Sequence, residues 1–144
     1  MIEQDTVKLL RECDAGAKMG VASIEDVLDR VKDRQLRQVL SQCKQGHEEL
    51  SSRIQTCLDR FHDEGKDPNP VAKGMSWMKT NMKLVLNESD ATIAELMTDG
   101  CNMGVKSLSR YLNQYKAADE VSKDITKRLI QQEEQLSKNM QSYL

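Results

Sequence analysis

Four polar residues, Asp14, His47, Thr98 and Glu133, each interrupt a run of apolar residues spaced three and four apart, the spacing of a buried helix face. An ionised carboxylate is costly to bury alone, so Asp14 and Glu133 each need a partner: an imidazole, a hydroxyl, water or a cation. Two chemistries meet that need. In the first, His47 takes up a proton and pairs with both acids while Thr98 fills a remaining acceptor, which gives a hydrogen-bonded polar layer that sets helix register. In the second, Asp14, His47 and Glu133 hold one Fe²⁺ or Zn²⁺ ion with water completing the shell. The polar layer is the leading expectation, and it requires no cofactor. A third chemistry, a nucleophile–base pair, is suggested by Cys43 four residues before His47 on one helix face. Buried seam cysteines are usually inert, so no catalytic residue is expected.

Only helices would carry these residues at that spacing. Aromatic residues make up 3% of the chain and the two prolines stand at 68 and 70, while helix formers are plentiful, so the class is all-α. A chain of 144 residues suits one domain spanning residues 1–144. Periodicity predicts a first helix from Thr6 to Val31, started by Asp5 or Thr6, and a second from Arg34 to Glu64, stopped by Gly65 at its C′ position. Lys66-Asp67-Pro68-Asn69-Pro70 cannot be helical. Val71 to Leu86 reads as a connecting helix whose Met75, Met78 and Met82 fill a groove, with Trp77 left as a candidate dimer contact. Asn87-Glu88-Ser89-Asp90 reads as a break and cap before a seam of Ala94, Cys101, Val105, Leu108, Leu112 and Tyr115. Lys116 to Asp119 turns the chain into a last seam of Val121, Ile125, Leu129, Leu136, Met140 and Tyr143. His62, near a helix carboxyl end, most simply favours the dipole there.

An internal repeat orders these elements. Met19-Gly20-Val21-Ala22-Ser23-Ile24 returns as Met103-Gly104-Val105-Lys106-Ser107-Leu108, an offset of about 84 residues that slips to about 86 after the turn. Hairpin one then covers about residues 5–65, a crossover 66–90, and hairpin two about 91–144. A joint of about 25 residues is long enough to run the length of the bundle, so the second and third bundle helices should be parallel. The repeat sets Asp14 against Thr98 and His47 against Glu133. It also repeats Gly16 and Gly20 as Gly100 and Gly104, which predicts close approach of the first and third bundle helices.

Tandem hairpins, a long crossover and polar residues at mid-bundle resemble the ferritin-like superfamily. More narrowly, the stretches Asp14-Ala-Gly-Ala-Lys-Met-Gly20 and Asp99-Gly-Cys-Asn-Met-Gly104 resemble an uncharacterised bacterial group of ferritin-like four-helix-bundle proteins. Nearly the whole chain is covered. In metal-binding members of the superfamily, two helices each offer a Glu and two offer Glu-x-x-His. On that pattern Asp14 stands for a first carboxylate and His47 for a histidine, but Lys44 occupies the place of the carboxylate before His47. The third helix offers Thr98, with Glu95 and Asp99 off the seam, and Glu133 is followed by Leu136 where a histidine belongs. The resemblance therefore implies a degenerate metal site. It suggests a non-catalytic bundle that acts through a protein partner or as a homodimer; the alternative is a mononuclear Fe or Zn protein in metal handling or oxidative stress.

Charge and cysteine usage narrow the setting. The formal net charge is −2, and Arg30, Lys32, Arg34 and Arg37 cluster about one turn instead of forming a stripe, which argues against nucleic acid. Cys13, Cys43, Cys57 and Cys101 form no Cys-x-x-Cys pair, the amino terminus lacks a basic-then-apolar signal, and no membrane-length apolar run occurs. Together these place the chain in a reducing cytoplasm, away from membranes.

Overall fold

The computed structural model describes residues 2–68 and 89–144. The expected connecting helix over Val71–Leu86, with Trp77, lies outside the described residues. Those described form four α-helices and no strand: α1 Ile2–Leu28, α2 Arg34–Asp59, α3 Asp90–Gln114 and α4 Glu120–Met140, closed by a 3₁₀ turn over Gln141–Tyr143.

Three helix starts carry a side-chain cap, because the first backbone N–H groups of a helix have no acceptor of their own. Asp33 accepts from Leu36 N, Ser89 from Thr92 N and Asp119 from Ser122 N. Two ends differ from expectation. α1 starts at Ile2, ahead of Asp5 and Thr6, which do not cap it. Asp5 instead accepts a hydrogen bond from Ala117 N at 3.0 Å, and the Thr6 hydroxyl accepts one from Asp119 N at 2.8 Å. After α2 the left-handed reversal falls at His62, ahead of Gly65. Its φ of 55° is left-handed, with His62 N donating to Asp59 O and Asp63 N to Leu58 O, the paired bonds of a Schellman motif. Gly65 serves a second reversal at φ 88°, where a Cβ would collide with the Asp14 carboxylate, so this position needs glycine.

Contacts between the helices set their directions. Lys44 meets Glu25 at 3.3 Å and Arg11 forks onto Asp63, so α1 and α2 are antiparallel. The Asp90 carboxylate accepts from both Lys32 N and Asp33 N at 2.9 Å, which seats the start of α3 beside the α1–α2 turn. At the opposite end Asp5 and Thr6 hold the α3–α4 turn. α1 therefore runs against α3, and contacts of His47 with Glu133 and of Arg53 with Asp124 run α2 against α4. It follows that α2 and α3 point the same way.

The core is divided. One apolar cluster holds Ile24, Leu36, Leu40, Ile93, Leu136 and Met140 among others; a second holds Leu9, Leu10, Ile54, Leu108, Ile125 and Leu129. Val121, expected in the last seam, is exposed, and Ser122 takes the inward place, with its hydroxyl satisfied by Asp119 O. No helix among the described residues is long and apolar enough to cross a membrane.

Candidate functional site

Between the two clusters every helix changes character at one height. α1 passes from Ala17 to Ile24 through Gly20, and α2 from Leu40 to Leu50 through His47. α3 passes from Cys101 to Leu108 through Gly104, and α4 from Leu129 to Leu136 through Glu133. His47 is 1% exposed, and its Nε2–H donates to Glu133 Oε1 at 2.6 Å, the length of a charge-assisted bond. Its Nδ1–H donates to the Cys43 carbonyl one turn earlier, at 3.1 Å. A ring protonated at both nitrogens satisfies the Cys43 carbonyl and the Glu133 carboxylate at once, since each of these can only accept. Burial opposes that charge, but the contacts with the Cys43 side chain, whose Sγ lies 3.6 Å from Nδ1, and with Glu133 outweigh it and push the imidazole from 6.5 up to about 10. The contacts at the centre of the bundle favour the charged ring.

The glycines make room for it. A methyl at Gly20 would stand 2.7 Å from His47 Cδ2 and 3.0 Å from Nε2, and one at Gly104 would stand 3.4 Å from Glu133 Oε2. Gly16 faces Leu108 at an ordinary 3.8 Å, and Gly100 meets nothing within 4 Å. Gly16 of α1 thus lies against Leu108 of α3, while Gly20 and Gly104 face the His47–Glu133 pair. Gly20 clears a space for the imidazole, whereas a methyl at Gly104 would meet the Glu133 carboxylate at ordinary contact distance, and the repeat that relates Gly20 to Gly104 also relates His47 to Glu133.

Asp14 and Thr98 stand elsewhere. Asp14, 1% exposed, accepts at Oδ2 from Lys18 Nζ and from Lys66 N, both at 2.9 Å, while its buried Oδ1 has no hydrogen-bond partner among the described residues. Thr98 turns its hydroxyl back to donate to Ala94 O at 2.8 Å. Of the four residues expected in one layer, the structure brings together His47 and Glu133. Asp14 is drawn aside by the reversal at Gly65, which delivers Lys66 N to it. The sequence signal for the true layer was the pair of glycines.

These facts limit the chemistry available. As long as the ring donates from both nitrogens it offers no lone pair to a metal ion, and Nδ1 also lies 3.6 Å from Cys43 Sγ. Burial, with the nearby Glu133 carboxylate, pushes the Cys101 thiol up, and burial pushes Cys13 to about 12, so both remain protonated and unreactive. All four cysteines are free thiols. Among the described residues no group of three or more His, Cys, Asp or Glu side chains is placed to hold a metal ion. Comparison of the chain with protein families, with curated proteins and with solved structures finds no match.

Proposed function

We propose that this chain is a non-catalytic bundle of ferritin-like layout, working through a protein partner or by self-association, in which His47 and Glu133 stand where an ancestral metal layer lay. The shared direction of α2 and α3 supports a layout of two hairpins joined by a crossover. The observation that carries the reading is the double commitment of the His47 ring, one N–H to Glu133 and one to the Cys43 carbonyl. In this reading the pair is a register lock: any slide of α4 along α2 would leave an imidazolium and a carboxylate unpaired between two apolar clusters.

The rival is a single Fe or Zn ion held by Asp14, His47 and Glu133. Elemental analysis of protein purified without chelator separates the two. The register-lock reading predicts substoichiometric Fe, Mn and Zn, and a melting temperature that does not respond to added Zn²⁺ or Fe²⁺. Stoichiometric metal that disappears in His47→Ala would overturn it.

A further inference from the structure

α3 turns Ala94, Met97, Cys101 and Leu108 to the core. On its opposite side Glu95, Asp99, Asn102, Met103, Lys106 and Arg110 follow at spacings of three and four, one stripe along the helix, and all six are exposed. Met103, in the middle of the stripe, is an apolar side chain left 70% exposed. Asp99, Lys106 and Arg110 make no ion pair or hydrogen bond among the described residues.

The charges of this stripe are segregated by sign. Glu95 and Asp99 are like charges one turn apart, and so are Lys106 and Arg110, an order that works against a helix surrounded only by water. Neither pair stands in the first or last turn of Asp90–Gln114, where the helix dipole would favour it. α4, by contrast, sets Asp124 four residues before Arg128 and joins them at 2.9 Å. The internal repeat shows that the bundle itself does not call for the charges: at the repeat offset α1 carries Ala15 and Ala22 where α3 carries Asp99 and Lys106.

We propose that this stripe docks on a second copy of the chain, α3 against α3, antiparallel about a twofold axis at the height of Asn102 and Met103. Equal steps to either side of that axis set Asp99 opposite the partner's Lys106, and Lys106 opposite the partner's Asp99, because a twofold contact repeats every pair. Glu95 and Arg110 fall together at the outer ends, and Met103 meets its own copy across the axis. A stripe acidic in its first half and basic in its second is complementary to itself when reversed. A uniformly acidic or basic partner would match one half and oppose the other. The inference rests on the self-association named in the reading above and gives it a surface, but it does not depend on the His47–Glu133 pair. One helix against one helix is a small interface, so the dimer should be of micromolar affinity and sensitive to salt.

Sedimentation equilibrium of the full chain, from about 5 to 500 µM at low ionic strength, tests the surface. A monomer–dimer equilibrium is expected, weakened about tenfold by Asp99→Lys alone and by Lys106→Asp alone. Each reversal turns a like-charge pair one turn apart into an opposite-charge pair, so α3 should fold as before, which circular dichroism checks. Mixing the two variants is the sharper experiment. Each repels its own copy, but across a twofold contact the two attract at both pairs, so the equimolar mixture should dimerise about as tightly as the wild type. A wild type that stays monomeric throughout overturns the surface and leaves the bundle reading with a different protein as partner. A dimer whose affinity ignores both reversals, or a mixture no tighter than its components, also overturns it while self-association itself stands.

Discussion

Glu133→Gln is expected to lower the unfolding free energy by about 3–5 kcal/mol, whereas His47→Leu combined with Glu133→Gln should lie within about 1 kcal/mol of the wild type. The asymmetry comes from desolvation. Removing the carboxylate alone strands an imidazolium, or forces it to deprotonate, in a site that water scarcely reaches. Removing both charges leaves a leucine and a neutral amide on a side chain 13% exposed, so the lost pairing energy is roughly balanced by the desolvation of charge no longer incurred. The pH dependence follows with its sign. The His47 pKa is raised from 6.5 to about 10 on folding, so its contribution to stability is complete below about pH 6.5 and is lost as the pH rises through about 10. Urea unfolding across that range should show wild-type stability falling with pH and a flatter profile for the double variant. A double variant as unstable as Glu133→Gln would mean the pair is organised for more than packing.

Gly20→Ala should destabilise the protein by about 1–3 kcal/mol, although alanine is the better helix former. Helix propensity alone favours alanine by about 1 kcal/mol at either Gly20 or Gly100. At Gly20 the new methyl meets the His47 ring at 2.7 Å. The ring cannot turn aside without breaking its bonds to Glu133 and to the Cys43 carbonyl. At Gly100, exposed and with nothing within 4 Å, the propensity gain is unopposed, and Gly100→Ala should stabilise by about 0.5–1 kcal/mol. Thermal unfolding of the two variants side by side is the check. Equal shifts of one sign would remove the claim that Gly20 is kept small for His47.

How far the sequence anticipates this structure depends on the type of interaction. The positions of the four described helices follow from periodicity, since Ile24, Leu40, Ile54, Leu108, Leu129 and Leu136 all fall inside. Ser89 caps as its type suggests. The ends are less certain because tertiary acceptors compete for the same groups: Asp5 and Thr6 look like caps but bind the turn of the other hairpin. His62 in a left-handed conformation could not be foreseen with Gly65 only three residues later. The pairing of His47 with Glu133 was recoverable from the repeat, because related positions share a height. The repeat misleads at Asp14, because its partner is the backbone of Lys66, a contact made by an irregular segment that leaves no periodic trace. It also says that Gly20 and Gly104 are equivalent without saying what stands opposite them.

The central claim is that His47 is a permanently charged member of an internal pair. It is tested most directly by long-range proton–nitrogen NMR of the imidazole in the intact protein. Both ring nitrogens should carry protons at about pH 7 and remain protonated well above the ordinary histidine range, toward about pH 10, with no change on addition of Zn²⁺. A neutral ring at about pH 7, with one unprotonated nitrogen that shifts when Zn²⁺ is added, would contradict it.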